Sequence, residues 1–124
     1  MIHRDDRLVF RDLDMTKDEL PHGDVAFVRQ VLQHLSNADI TSFVGQLHAQ
    51  RPYRYLIVTE HVPAMPSFRP NVDKYTGPSE RTLLDSGVDL AKPPFNLAFV
   101  DKTQLLELPF QFGGLIRTTL YRLR

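Results

Sequence analysis

Two stretches decide how this chain folds: Asp24-Val25-Ala26-Phe27-Val28-Arg29-Gln30 and Tyr55-Leu56-Ile57-Val58-Thr59-Glu60-His61. Each is a short unbroken apolar run closed by polar residues, the pattern of a strand covered on both faces rather than the alternation of a half-solvated one. Between them, Ser36 to Gln50 places Ile40, Phe43, Val44 and Leu47 at i, i+3, i+4 and i+7, one apolar stripe of a helix. Ser36 can cap its first turn, with Asp39 three residues on, and Leu35 and Ile40 stand at the two positions of a hydrophobic staple. Pro52 stops the helix. Strand, helix and strand over this length predict a βαβ unit with a right-handed crossover and a parallel pair, hence an α/β fold.

Outward from this unit, Arg7 to Asp14 approximates strand alternation at Leu8, Phe10 and Leu13. A polar stretch ending in Pro21, His22 and Gly23 follows it. On the other side, residues 63–94 hold six of the nine prolines, the texture of a long irregular connection and of a lid or substrate loop. The end, Leu105 to Phe112, Gly113-Gly114 and Leu115 to Leu123, predicts a terminal antiparallel hairpin. The whole is expected to be one domain, because 124 residues with 42% hydrophobic content bury one modest core.

Lys plus Arg equals Asp plus Glu at 15 each, so no net field draws the chain to nucleic acid or to an anionic membrane. With no cysteine, disulfides, thiolate zinc sites and cysteine nucleophiles are excluded. A reducing compartment, the cytoplasm, is the expected location. The five histidines show no metal-site pairing, so no metal is expected. No G-x-S-x-G elbow supports hydrolase chemistry. In open α/β sheets ligands bind outside the carboxyl ends of the strands, which selects Arg29, Gln30, Thr59, Glu60 and His61.

The order of these elements resembles the second half of a class I, Rossmann-like S-adenosyl-L-methionine-dependent methyltransferase, whose last strand inserts antiparallel to the others. The residues that carry the resemblance are Phe10-Arg-Asp-Leu-Asp14-Met15-Thr16-Lys-Asp18-Glu-Leu20-Pro21 and the run from Asp24 to Ser36. They are similar to a bacterial group in which an acidic residue ends the third strand, a D-x-L-P turn follows, and the fourth strand leads into R-x-V-L-x-H-L-S. Tyr55 to Thr59, Asn71-Val-Asp73, Thr76-Gly77 and Gly87 to Leu90 through Pro93-Pro94-Phe95 extend the similarity over nearly the whole chain. The family's glycine-rich first turn and the acidic end of its second strand have no counterpart, because the first glycine here is Gly23. The expectation is therefore the carboxyl-terminal part of such a domain: a fragment, or a short relative that obtains those groups elsewhere.

The resemblance implies that Asp14 lies near the adenine amino group, with the Met15 amide close to the ring. It also sets Arg29 and Gln30 at the methionine end of the cofactor. Asp14 followed by Thr16 reads equally as a turn or cap, and Arg29 and Gln30 as a solvated strand end. His34 could accept a proton from a substrate oxygen or nitrogen, or could bond to backbone and fix its turn. Glu60 and His61 could contact substrate, a small-molecule or other unidentified methyl acceptor, or simply lie on the surface. A rival from another class is a non-catalytic domain that pairs with a second copy through the exposed edge of Val25 to Val28.

Overall fold

The computed structural model describes residues 7–65, 67–110 and 113–124. Val25–Arg29 forms β1, Asn37–Gln50 forms α1 and Tyr55–Pro63 forms β2; Asp101–Pro109 and Gly114–Arg122 form β3 and β4. Single 3-10 turns stand at Leu32–His34 and Arg81–Leu84. The strands make one sheet in the order β1-β2-β4-β3. β1 and β2 run parallel with Val25 opposite Tyr55 and Arg29 opposite Thr59. β4 returns between β2 and β3, antiparallel to both. The fold is α/β with a mixed, open four-stranded sheet, and the expected parallel pair and terminal hairpin are both present.

The helix begins as its sequence dictates. Ser36 has extended backbone and its Oγ accepts the N–H of Asp39 at 3.2 Å. At the other end Arg51 takes a left-handed conformation (φ 48°) and donates its N–H to Leu47 O, a closing turn that satisfies one late carbonyl. The stripe Ile40, Phe43, Val44 and Leu47 is buried against Val28, Leu56, Val58 and Tyr121. Val88, Leu90, Phe95 and Leu97, from the segment ahead of β3, complete the core.

Two expectations fail here. Arg7 to Asp14 is not a strand: it holds a single bridge residue, Val9, and Leu8, Val9 and Phe10 are each about half exposed. Val25 to Val28 is not covered on both faces. Val28 is buried, whereas Phe27 is 75% exposed. The cause is that α1 lies on one side of the sheet. Phe27, Ile57 and Leu120, which stand side by side across β1, β2 and β4, form a row on the opposite face. An apolar run fixes that a strand forms but not how many layers cover it.

β2 also continues further than the sequence pattern marks. Its parallel ladder ends at Thr59, yet Glu60 to Pro63 keep pairing with β4. Glu60 and His61 therefore lie within a strand rather than beyond its end. Among the described residues no helix is long and apolar enough to cross a membrane.

The asymmetry of the sheet has a measurable consequence. Leu56 is fully buried, so Leu56→Ala should destabilise by about 2–5 kcal/mol in urea unfolding. Phe27→Ala, in an equally apolar run, should cost about 0.5 kcal/mol or less. Equal losses for the two would show that the Phe27 face is covered in solution.

Candidate functional site

The carboxyl end of the parallel pair is where the chain concentrates its buried polar groups. Gln30 leaves β1 with a left-handed backbone (φ 52°) and donates its N–H to Thr59 O at 2.7 Å. This bond carries the ladder one residue further and starts the turn through Leu32–His34. The N–H groups of Leu32 and Gln33 then donate to the two carboxylate oxygens of Glu60, each at 3.2 Å. Glu60 is 3% exposed and Gln33 is 1% exposed. The Gln33 side chain spans the gap to the next element: its Oε1 accepts the His61 backbone N–H at 2.8 Å, and its Nε2 donates to Glu80 at 2.7 Å. The other Glu80 oxygen meets His61 Nδ1 at 3.0 Å. Glu60, the turn, Gln33, His61 and Glu80 thus form one connected network, in which Gln33 reaches Glu60 through its backbone N–H and Glu80 and the His61 backbone through its side-chain amide.

Arg81 lies fully buried beside this network. Its two terminal nitrogens donate to Val72 O and Leu35 O, both at 2.6 Å. The guanidinium fork therefore fastens the 63–94 segment to the chain that enters α1. Other loop residues complete that attachment at the helix start. Asp73 accepts the Asn37 N–H at 2.9 Å, Thr76 accepts the Ser36 N–H at 2.7 Å, and Asn37 Nδ2 donates to Asn71 O at 3.0 Å. These contacts supply partners to amides that a helix cannot satisfy internally. Asn71 itself adopts a left-handed backbone, accepts the Asp89 N–H, and donates to Asp89 O and Pro93 O.

Burial pushes the Glu60 carboxyl up to about 8, against the pull of the two turn amides and of Arg81. Burial also lowers Arg81, and the carboxylates of Asp73 and Glu60 oppose that shift. The amide bond from Asn37 holds Asp73 below the usual carboxylate range. Asp14 is likewise held low, by its side-chain bond to Thr16.

The candidate residues fall into separate groups. Glu60 and His61 come together in the buried network, and they are interior groups rather than a polar surface at the strand end. His34 is half-buried at its margin, with Nδ1 3.4 Å from Ser79 O and its carbonyl accepting from Gly77 N and Lys74 Nζ. Arg29 is exposed at the end of β1, and Gln30 turns the chain. Asp14 and Met15 occupy a different turn. Asp14 Oδ1 accepts the N–H and hydroxyl of Thr16, and Met15 O accepts from Gln46 on α1 at 2.7 Å. Among the described residues no hydrogen bond joins that turn to the network.

Sequence reasoning missed Gln33, Glu80 and Arg81. Gln33 sits one residue from the His34 that was singled out, but glutamine in a polar turn carries no signal of burial. Glu80 and Arg81 lie in a proline-rich stretch whose texture resembles solvated loop, and burial of an arginine depends on carbonyls distant in sequence. Among the described residues no group of three His, Cys, Asp or Glu side chains is placed to hold a metal. Comparison with protein-family models, curated proteins and solved structures yields no match.

Glu60 makes stability depend on pH with a defined sign. In the unfolded chain it ionises near 4.5, whereas in the fold it keeps its proton up to about 8. Its stabilising contribution is complete below 4.5 and is lost as pH rises to about 8, because the folded state binds the extra proton across that window. Urea midpoints measured from pH 5 to pH 9 should fall for the parent relative to Glu60→Gln. Parallel profiles for the two proteins would mean that Glu60 is ionised throughout.

Proposed function

We propose that this chain is the carboxyl-terminal part of a Rossmann-like methyltransferase domain that uses S-adenosyl-L-methionine to methylate a small-molecule acceptor. The single observation that carries the reading is the strand order β1-β2-β4-β3, in which an antiparallel last strand inserts between two strands of the opposite direction. That insertion is the feature in which the sequence resembles the class I sheet.

Residues suited to the two ends of the cofactor are present. Asp14 is exposed and anionic, and its Oδ2 has no partner among the described residues, so it can accept an adenine amino group beside the Met15 amide. The exposed Arg29 guanidinium suits the cofactor carboxylate, with Gln30 next to it. The glycine-rich turn and the ribose-binding acid of the family have no counterpart in these residues, so a complete site draws them from an upstream segment or a second chain. When bound, the cofactor supplies a methyl group already activated on a sulfonium, and the chain's task is orientation and proton handling. In this reading His34 takes the acceptor's proton, Glu60 positions the 30–35 turn, and His61 faces the acceptor. The outer rim of the 63–94 segment, with Tyr75 95% and Leu83 77% exposed, forms the lid.

Titration calorimetry tests this. A version extended upstream to include a glycine-rich strand turn should bind the cofactor at micromolar levels while the 124-residue chain alone gives no heat. Asp14→Ala in the extended version should weaken binding about tenfold or more. Failure of both forms to bind removes the enzyme reading.

A second reading is favoured by one observation, the bare apolar row around Phe27 at the β1 end of the sheet. It is a non-catalytic domain that covers this row, and the β1 edge, with a second copy. A dimer by light scattering that is converted to monomer by Phe27→Lys, and that binds no cofactor, would support it. A strict monomer would remove it.

A further inference from the structure

Beside His61 a cleft of about 420 Å³ opens between β2, the 81–84 turn and the β3–β4 hairpin, and its lining residues include His61, Met65, Glu80, Leu83, Asp85 and the lip Gly113–Gly114. The chemistry of this wall is specific. His61 is 5% exposed, and its Nδ1 lies 3.0 Å from a carboxylate oxygen of Glu80. A carboxylate only accepts, so Nδ1 carries a hydrogen, and Nε2 is a bare acceptor when that is the ring's single proton. That nitrogen is buried and has no hydrogen-bond partner among the described residues. An orphaned buried acceptor is costly and calls for a donor. The nitrogen lies directly beneath the lip, where a Cβ on Gly114 would stand 2.0 Å away from it. Position 114 must therefore be glycine, and Gly113 next to it has the left-handed φ of 81° that glycine adopts without strain.

Charge and polarity narrow the ligand further. Glu80 and Asp85 face the cleft, and no lysine or arginine among the described residues lines it, so an anion is disfavoured and a cation is favoured. Met65 is 51% and Leu83 77% exposed, large apolar side chains at the mouth of a concave site. A donor to Nε2, a positive charge and an apolar body together describe an organic ammonium. We propose that this cleft binds a primary or secondary ammonium carrying an apolar group, with its N–H directed at His61 Nε2 and its charge set against Glu80 and Asp85. Contact with Nε2 requires the Gly113–Gly114 lip to swing aside. The assignment does not depend on the transferase reading, and its binding is tested without the cofactor.

The test is titration of 2-phenylethylammonium into the uniformly ¹⁵N-labelled 124-residue chain, read by amide and imidazole nitrogen resonances. The expected result is saturable movement of the Gly113 and Gly114 amides and of His61 Nε2. 3-Phenylpropionate, with a similar ring and chain but the opposite charge, should leave those signals in place. Asp85 is exposed, so Asp85→Asn keeps the fold and should weaken binding about two- to fivefold, the scale of a surface charge pair. The proposal is overturned if the carboxylate binds as well as the amine, if Asp85→Asn changes nothing, if the shifts map elsewhere, or if no signal moves up to the solubility limit. Cofactor binding by the extended protein alongside any of these results would leave the transferase reading standing without this ligand class.

Discussion

The carboxyl group of Glu60 is the fixed point around which the strand ends are arranged. A polar side chain at 3% exposure is tolerated only because each oxygen receives a backbone N–H from the turn that leaves β1. Those two bonds set where the chain goes after the parallel ladder stops, and so where Gln33 points. Gln33 in turn fixes the His61 backbone and Glu80. Removing the carboxylate would orphan two buried turn amides, a larger penalty than the bonds themselves contribute.

The same economy explains why a proline-rich connection of low regularity is held tightly. Residues 63–94 contain one short 3-10 turn, so their backbone groups need partners that secondary structure does not provide. Arg81, Asn71 and Ser86 supply them from the inside. Ser86 Oγ donates to Arg69 O and accepts from Val72 N, while Arg81 reaches Val72 and Leu35. The loop gains its shape from these side chains, and the amino end of α1 gains the partners it lacks. Loop and helix start are mutually dependent, and both lie on the side of the sheet where the strand ends gather.

The sheet itself is one-sided. α1 and the segment before β3 bury Val28, Leu56, Val58 and Tyr121, whereas on the opposite face Phe27 is 75% exposed and Ile57 and Leu120 are half-buried. β3 is exposed along its length and is tied to β4 by Arg117–Glu107 and Arg122–Asp101 ion pairs, contacts worth little each in water.

What the sequence determined by itself is what depends on neighbours along the chain. The capped helix with its stripe, the strands at Val25 and Tyr55 and the hairpin turn at Gly113-Gly114 are local patterns, and the short crossover makes the first pair parallel. The exits of those strands were legible as a place where polar residues gather, which brought Arg29, Gln30, Glu60 and His61 forward. Tertiary structure decided the rest, because burial is a relation between distant segments. Identical apolar texture became core at Leu56 and surface at Phe27, since the one α-helix among the described residues lies on a single face of the sheet. Leu8 and Phe10 alternated like a strand yet flank a single bridge residue, Val9. Arg81 and Gln33, indistinguishable from solvated residues in the sequence, became interior because carbonyls and carboxylates far along the chain converged on them.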